Sequence, residues 1–280
     1  MREAAATSRY RGPSALGDGV RRFASLTFML AATDFKLRWF GSALGYVWTL
    51  MKPLLLFGVL YVVFTEVVKF GEGVKNYPVY LLAAIVLFTY FGETTSRGVT
   101  SLVDRDNLLR KIRFPRLVIP LAVALHSLFN LGLNMVAVFV FVIAAGIEPN
   151  IDWLQLPLLV GMIVVLATGV TMMLSALYVR FRDVEPIWEV ALQLLFYASP
   201  VIYVVTTIPN HDLQRLAVMN PIGAILTQMR HALVDPSAPT AITVLGGWQW
   251  LAVPAGIVVA LFALGWWVFM REAPRIAENL

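Results

Sequence analysis

Apolar residues gather along this chain in runs of roughly twenty, separated by short polar and charged stretches. Six such runs stand out, at residues 49–68, 77–95, 117–147, 153–178, 187–205 and 250–269. Each is about the length a helix needs to cross the ~30 Å hydrocarbon core of a bilayer. The pattern predicts an all-α integral membrane protein with six transmembrane helices. It divides the chain into a cytoplasmic N-terminal part, 1–48, and a six-span domain, 49–280.

Two further stretches are apolar in a different way. Over residues 20–45, Phe23, Leu26, Leu30, Leu37 and Phe40 share one helical face, while Arg21, Arg22, Asp34, Lys36 and Arg38 occupy much of the rest. A basic amphipathic helix of this kind fits one lying in the inner membrane interface. About 44 residues separate the fifth run from the sixth, too many for a simple connection. They include an apolar, helix-compatible run at 222–233, bounded by Asn220-Pro221 and Asp235-Pro236. Short re-entrant helices in the outer leaflet are expected there, satisfying their own backbone where they are buried in protein.

Composition agrees with a bilayer as solvent. Hydrophobic residues make up 59% and charged residues only 14%, against about 25% charged in soluble domains. A soluble domain this apolar would expose large patches and aggregate; a disordered chain, a collagen-like repeat and a free nucleic-acid-binding domain are excluded. With no cysteine, disulfides, thiolate metal sites and cysteine nucleophiles are excluded too. The formal charge of +5 resolves into a topology signal: 18 of the 22 basic residues fall on one side of the six spans, and Lys69, Lys75, Arg215 and Arg230 on the other. Positive residues stay inside, so both termini are cytoplasmic. No nucleic-acid surface is needed to explain the charge. Seven of the eight tryptophans fall at span ends and Trp39 in the amphipathic stretch, as interfacial indoles should. The segment before residue 49 lacks the short apolar core of a cleavable signal peptide. No internal repeat relates 1–140 to 141–280, which disfavours an inverted-repeat carrier.

Several polar positions interrupt the apolar runs. His126, Asn130 and Asn134 recur every four residues on the third span and so share one face; such groups read as hydrogen-bonding glue between helices. Ala167, Thr171 and Ser175 form a small-residue seam on the fourth. Pro200 sits inside the fifth run and predicts a kink, a candidate gate element. Glu66, Glu93 and Glu189 are too scattered for the central acidic pair of a proton-driven carrier. The cytoplasmic stretch 101–115, SLVDRDNLLRKIRFP, mixes charges with Leu102, Leu108, Leu109 and Ile112. By itself it suits either a helix docking into a soluble partner or a solvated loop.

Enzymatic readings fare poorly. There is no GxxxxGK[ST] loop to bind ATP. Asp183 and Glu185, the best acidic cluster, lie among Arg180, Arg182 and Pro186 and read as an ion-paired turn rather than a metal site. No metal-ligand set and no catalytic residue are expected.

Four motifs in order carry a resemblance. They are KLRWFGSALGYVWTLMKPLLL at 36–56, NLLRKIRFPRLVIP at 107–120, FRDV at 181–184 followed by YASPVIY at 197–203, and Asn220-Pro221 with Arg230. Together they resemble the membrane subunits of ABC polysaccharide exporters, the family that moves lipid-linked O-antigen, teichoic acid or galactan. The resemblance implies a homodimer bound to two cytoplasmic ATP-binding-cassette ATPase subunits, which would hold ATP and Mg; this chain would hold no cofactor. It makes 101–115 the coupling helix, with Asp104, Arg105, Asp106, Arg110, Lys111 and Arg113 as its charged contacts. It places outer gate helices at 208–233, with Pro200, Pro221 and Arg230 as gate or kink candidates. A channel between the first and fifth spans of two copies would be lined by Tyr46, Tyr61, Phe196, Tyr197 and Tyr203, aromatic rings on which sugar faces can slide. Arginine outnumbers lysine 17 to 5, as in GC-rich genomes such as those of actinobacteria, which within this family suggests a lipid-linked galactan as cargo. The alternatives are an ABC exporter of small hydrophobic compounds and an ion-coupled carrier acting alone.

Overall fold

The structure, a computed structural model, describes residues 19–38, 44–69, 73–106 and 115–273. The described residues form helices and connecting turns, with no strand among them. The amphipathic stretch is α1, Val20–Leu37. Helix α2, Val47–Val62, runs on into a π-helical turn, Val63–Val67. Then come α3, Tyr77–Thr100, and α4, Val118–Ala144. Helix α5, Leu156–Arg180, follows a 3-10 turn, Ile151–Gln155, and α6 is Val184–Ala198. Three short helices follow: α7, His211–Met219; α8, Pro221–Met229, extended by a π-helical turn, Arg230–Val234; and α9, Ala241–Leu245. The chain ends in a 3-10 turn, Trp248–Leu251, and α10, Ala252–Glu272.

Five of these units are long and apolar enough to cross a membrane: Val47–Val67, Tyr77–Thr100, Val118–Ala144, Ile151–Arg180 and Trp248–Glu272. The remaining expected span, 187–205, takes another form. Helix α6 ends at Ala198 after 15 residues, about 22 Å of helix, too short by itself for the ~30 Å hydrocarbon layer. Residues 199–204 continue as buried or half-buried irregular backbone. Pro200 therefore ends the helix instead of bending it, because its missing N–H and its ring stop the ladder one residue after Ser199.

Helix α3 is the centre of the bundle. Residues 79–88 are all buried, and α4 and α5 pack along it. Thr171 of α5 lies against Gly98 of α3, so close that a Cβ on Gly98 would come within 2.3 Å of the threonine methyl. The Thr171 hydroxyl also donates to Thr94 O at 3.3 Å. Ala167 and Ser175 of the same seam are fully buried. Helix α10 is fastened to α5 by a closer approach: a Cβ on Gly265 would meet Gly169 O at 1.9 Å, and one on Gly169 would meet Phe262 Cα at 2.5 Å. Backbones this near each other exclude any side chain between them. Helices α2 and α6 leave apolar residues facing outward, among them Leu55, Val59, Ile187 and Leu194, and so do α4 at Val140 and Ile143 and α10 at Val259 and Trp267.

Candidate functional site

Two polar constellations interrupt the apolar bundle, one at each end. The first is built around the break at Pro200. Residues 199–204 leave helix α6 with the carbonyls of Pro200, Ile202 and Tyr203 outside any helical ladder, a costly arrangement for buried backbone unless protein donors reach them. Two tyrosines from the first turn of α3 supply those donors. The Tyr77 hydroxyl donates to Ile202 O at 2.6 Å, and the fully buried Tyr80 hydroxyl donates to Pro200 O and, at 3.2 Å, to Tyr203 O.

The Asn220-Pro221 motif holds the same region from the other side. The Asn220 side chain accepts from Ile222 N, capping α8, while its Nδ2 donates to buried Ser199 Oγ at 2.8 Å. Pro221 opens the helix at a position whose N–H has no intrahelical partner. Gly223 allows the closest approach: a Cβ there would meet Ala217 O at 1.9 Å and Pro200 Cδ at 3.3 Å. Beyond it, Arg230 lies buried with its guanidinium over the Tyr80 ring, 6.0 Å from the centroid. Asp235, just past that turn, donates its backbone N–H to Arg230 O at 2.9 Å and accepts from Ser237 N and Oγ.

Among the aromatic channel candidates, Phe196, Tyr197 and Tyr203 come together at this break. The rings of Phe196 and Tyr197 pack edge-on at 5.4 Å, and the Tyr203 hydroxyl donates to Tyr197 O and Ala198 O. Tyr197 is largely exposed, whereas Phe196 packs inward on Phe88 at 5.1 Å. The other two lie elsewhere, Tyr46 stacked on Phe35 of α1 and Tyr61 on Phe57 of its own helix.

The second constellation lies at the opposite end, where α1 meets α3 and α4. Glu93 on α3 pairs with Arg38 at the end of α1, sits 3.6 Å from Arg97, and accepts from Asn130 Nδ2 at 3.2 Å. Arg38 also contacts His126 Nε2 at 3.2 Å. Arg105, in the turn that extends α3, pairs with Asp34 of α1. Asn134 donates instead to Asn130 O within its own helix. Thr100 donates to Asp104 at 2.7 Å. The stretch expected to couple to a partner, 101–115, is thus described as far as Asp106; Arg110, Lys111 and Arg113 lie outside the described residues.

Sequence reasoning missed Tyr77, Tyr80, Gly223, Gly169 and Gly265. Nothing local marks the two tyrosines as partners of residues about 120 positions away. The Gly265 to Gly169 contact is equally invisible in local pattern.

Residues 25–234 match the family described as ABC-2 type transporter. The O-antigen export system permease protein RfbA of Myxococcus xanthus is 28% identical over 260 residues, covering 92% of this chain and 96% of the relative. An RfbA of Klebsiella pneumoniae is 24% identical over 256 residues, 91% of this chain and 95% of its own length. The polysialic acid transport protein KpsM of Escherichia coli is 20% identical over 203 residues, 72% of this chain and 78% of the relative. With three quarters of its length inside the family match, and with several helices fit to cross a bilayer, this chain belongs to the ABC-2 type transporter family as a multi-pass permease of the bacterial inner membrane.

Proposed function

We propose that this chain is the channel-forming permease subunit of an ATP-driven exporter that carries a lipid-linked cell-envelope polysaccharide out of the cytoplasm, a galactan being the specific cargo we favour over O-antigen or teichoic-acid polymers. The observation that carries the reading is the nearly full-length similarity to O-antigen export permeases. A single crossing pattern of six segments, N-in and C-in, goes with it. In this reading the fifth crossing consists of α6 completed by residues 199–204, where the Pro200, Ile202 and Tyr203 carbonyls accept from Tyr77 and Tyr80. Helix α1 lies in the inner interface, and α7 and α8 dip into the outer leaflet as gate elements around Pro200, Pro221 and Arg230.

Two copies assemble with two ATPase subunits. The outward apolar faces of α2 and α6 are where the second copy would pack. Between them lies the path of the polymer, with Tyr46, Tyr61, Phe196, Tyr197 and Tyr203 as ring surfaces for sugar C–H faces. ATP and Mg belong to the partner subunits. Movement of those subunits enters through 101–115, reaches α3 directly, and reaches α1 through the Asp34–Arg105 and Arg38–Glu93 pairs.

Reversing Arg110, Lys111 and Arg113 to glutamate together places three like charges where attraction is needed, and mismatched charge at an interface costs several kcal/mol. Export is expected to fall at least ~100-fold, the equivalent of ~2.8 kcal/mol, with permease abundance in the membrane unchanged. Unaltered assembly with the ATPase and unaltered export in the triple variant would remove the coupling role from this segment.

A further inference from the structure

The second constellation, which the proposed orientation puts at the inner face, borders an open polar cavity of about 410 Å³, many times the ~30 Å³ share of a water molecule. Asp34, Arg38, Arg97, Asp104, Arg105 and His126 are on its walls. The carboxylates are largely spoken for: Asp34 holds Arg105, Glu93 behind the wall holds Arg38, and Asp104 accepts from Thr100 on the exposed rim. What is left over is mostly donors. Arg105 Nη1 is buried with no hydrogen-bond partner. His126 is 1% exposed, and its Nδ1 is likewise without a partner. Because a guanidinium only donates, the Arg38 contact makes His126 Nε2 the acceptor and leaves the proton of the neutral ring on Nδ1. Arg97 is the least engaged of the three arginines: its side chain is 40% exposed, and its ion pair is a long 3.6 Å contact to the same Glu93 oxygen that Arg38 already holds.

A buried N–H with no acceptor costs free energy until one arrives, and guanidinium groups beside imidazole N–H favour phosphate oxygens. The position of the cavity says what carries the phosphate. Helix α1 turns Phe28, Met29 and Leu37 outward, and Leu37 lines the cavity. A helix lying in the membrane interface puts a cavity at its C-terminal end at head-group depth, where basic pockets between helices take lipid phosphates.

We propose that this cavity binds the phosphate of a lipid head group in the cytoplasmic leaflet, through Arg97, Arg105 and His126. It rests on the orientation given above but not on the nature of the exported polymer. The phosphate comes either from a polyprenyl-phosphate carrier or from a bilayer phospholipid. The test uses the permease purified with its ATPase partner in detergent and scored by native mass spectrometry for retained lipid. Three probes are supplied: a polyprenyl monophosphate, phosphatidylglycerol and, as a phosphate-free control, dioleoylglycerol. The wild-type complex is expected to retain a phosphate-bearing lipid at least ~10-fold over dioleoylglycerol, and Arg97→Gln to abolish that preference. Arg97→Lys, which keeps the charge but loses the planar fork, should retain an intermediate amount. Displacement of phosphatidylglycerol by polyprenyl monophosphate identifies the carrier as the ligand, and the reverse identifies bilayer lipid. Equal retention of dioleoylglycerol, or retention in Arg97→Gln equal to wild type, overturns the assignment. A complex that still exports while showing either result fails this inference alone.

Discussion

Replacing Gly265 with valine is expected to abolish accumulation of a monodisperse permease, whereas the same change at Gly256 on the same helix should be tolerated. The reason is geometric. A Cβ at 265 would lie 1.9 Å from Gly169 O, and on the facing helix a Cβ at 169 would lie 2.5 Å from Phe262 Cα and 2.9 Å from its nitrogen. The obstructing atoms are backbone, so no rotamer change relieves the clash and α10 must separate from α5 by an ångström or more. Over-packing of this kind costs about 1–3 kcal/mol where neighbours can adjust, and here the whole contact between two helices has to open. A Cβ at Gly256 meets nothing within 4 Å, which makes it the matched control for helix propensity and added bulk. Size-exclusion profiles of the two variants in the same detergent decide the matter. Equal behaviour would mean that α5 and α10 are not held by backbone contact at these glycines.

The second large effect is expected from the double change Tyr77→Phe and Tyr80→Phe. It removes two oxygens and almost no volume, yet withdraws the donors from Pro200 O, Ile202 O and Tyr203 O. Each buried carbonyl left without a partner costs about 1–3 kcal/mol, so residues 199–204 should open far more often while the rest of the bundle stays packed. The chain has no cysteine, and Val201 is fully buried. A single cysteine at 201 therefore reports on the opening. Labelling by a membrane-impermeant maleimide should rise at least ~10-fold in the double variant, the population change that ~1.4 kcal/mol produces. Unchanged labelling would show that the tyrosines do not hold the break closed.

The parts of the fold that depend on local pattern were legible in the sequence. Long apolar runs must become helices in a bilayer because their backbone has no other partner, and the runs that became α2, α3, α4, α5 and α10 follow from that alone. The apolar stripe of α1 and the Asn220-Pro221 start of α8 were legible for the same reason, since helical period and capping act within a few residues. The run at 187–205 misled because hydropathy measures burial and not helicity: residues 199–204 are apolar and buried but irregular. What permits the irregular form is a pair of hydroxyls about 120 residues earlier. Glu93 stood among scattered carboxylates without a partner in the sequence; it lies within α3, matched by Arg38 from a helix whose angle to the bundle no periodicity specifies. Chain-distant contacts of this kind, which also include the Gly169 to Gly265 approach, are the part that local pattern does not encode.

Depletion of this permease in its own cell, followed by location of the lipid-linked polymer, tests the export reading most directly. A permease that exports lipid-linked polysaccharide leaves its cargo behind when it is lost, so the polymer should accumulate on its lipid carrier at the cytoplasmic face. Re-expression of the wild-type chain should clear it, and the Arg110, Lys111 and Arg113 triple glutamate variant should not. Chemical analysis of the accumulated material identifies the sugar and would show galactan if the cargo named here is right. Depletion with no cytoplasmic accumulation of any lipid-linked polymer would contradict the assignment.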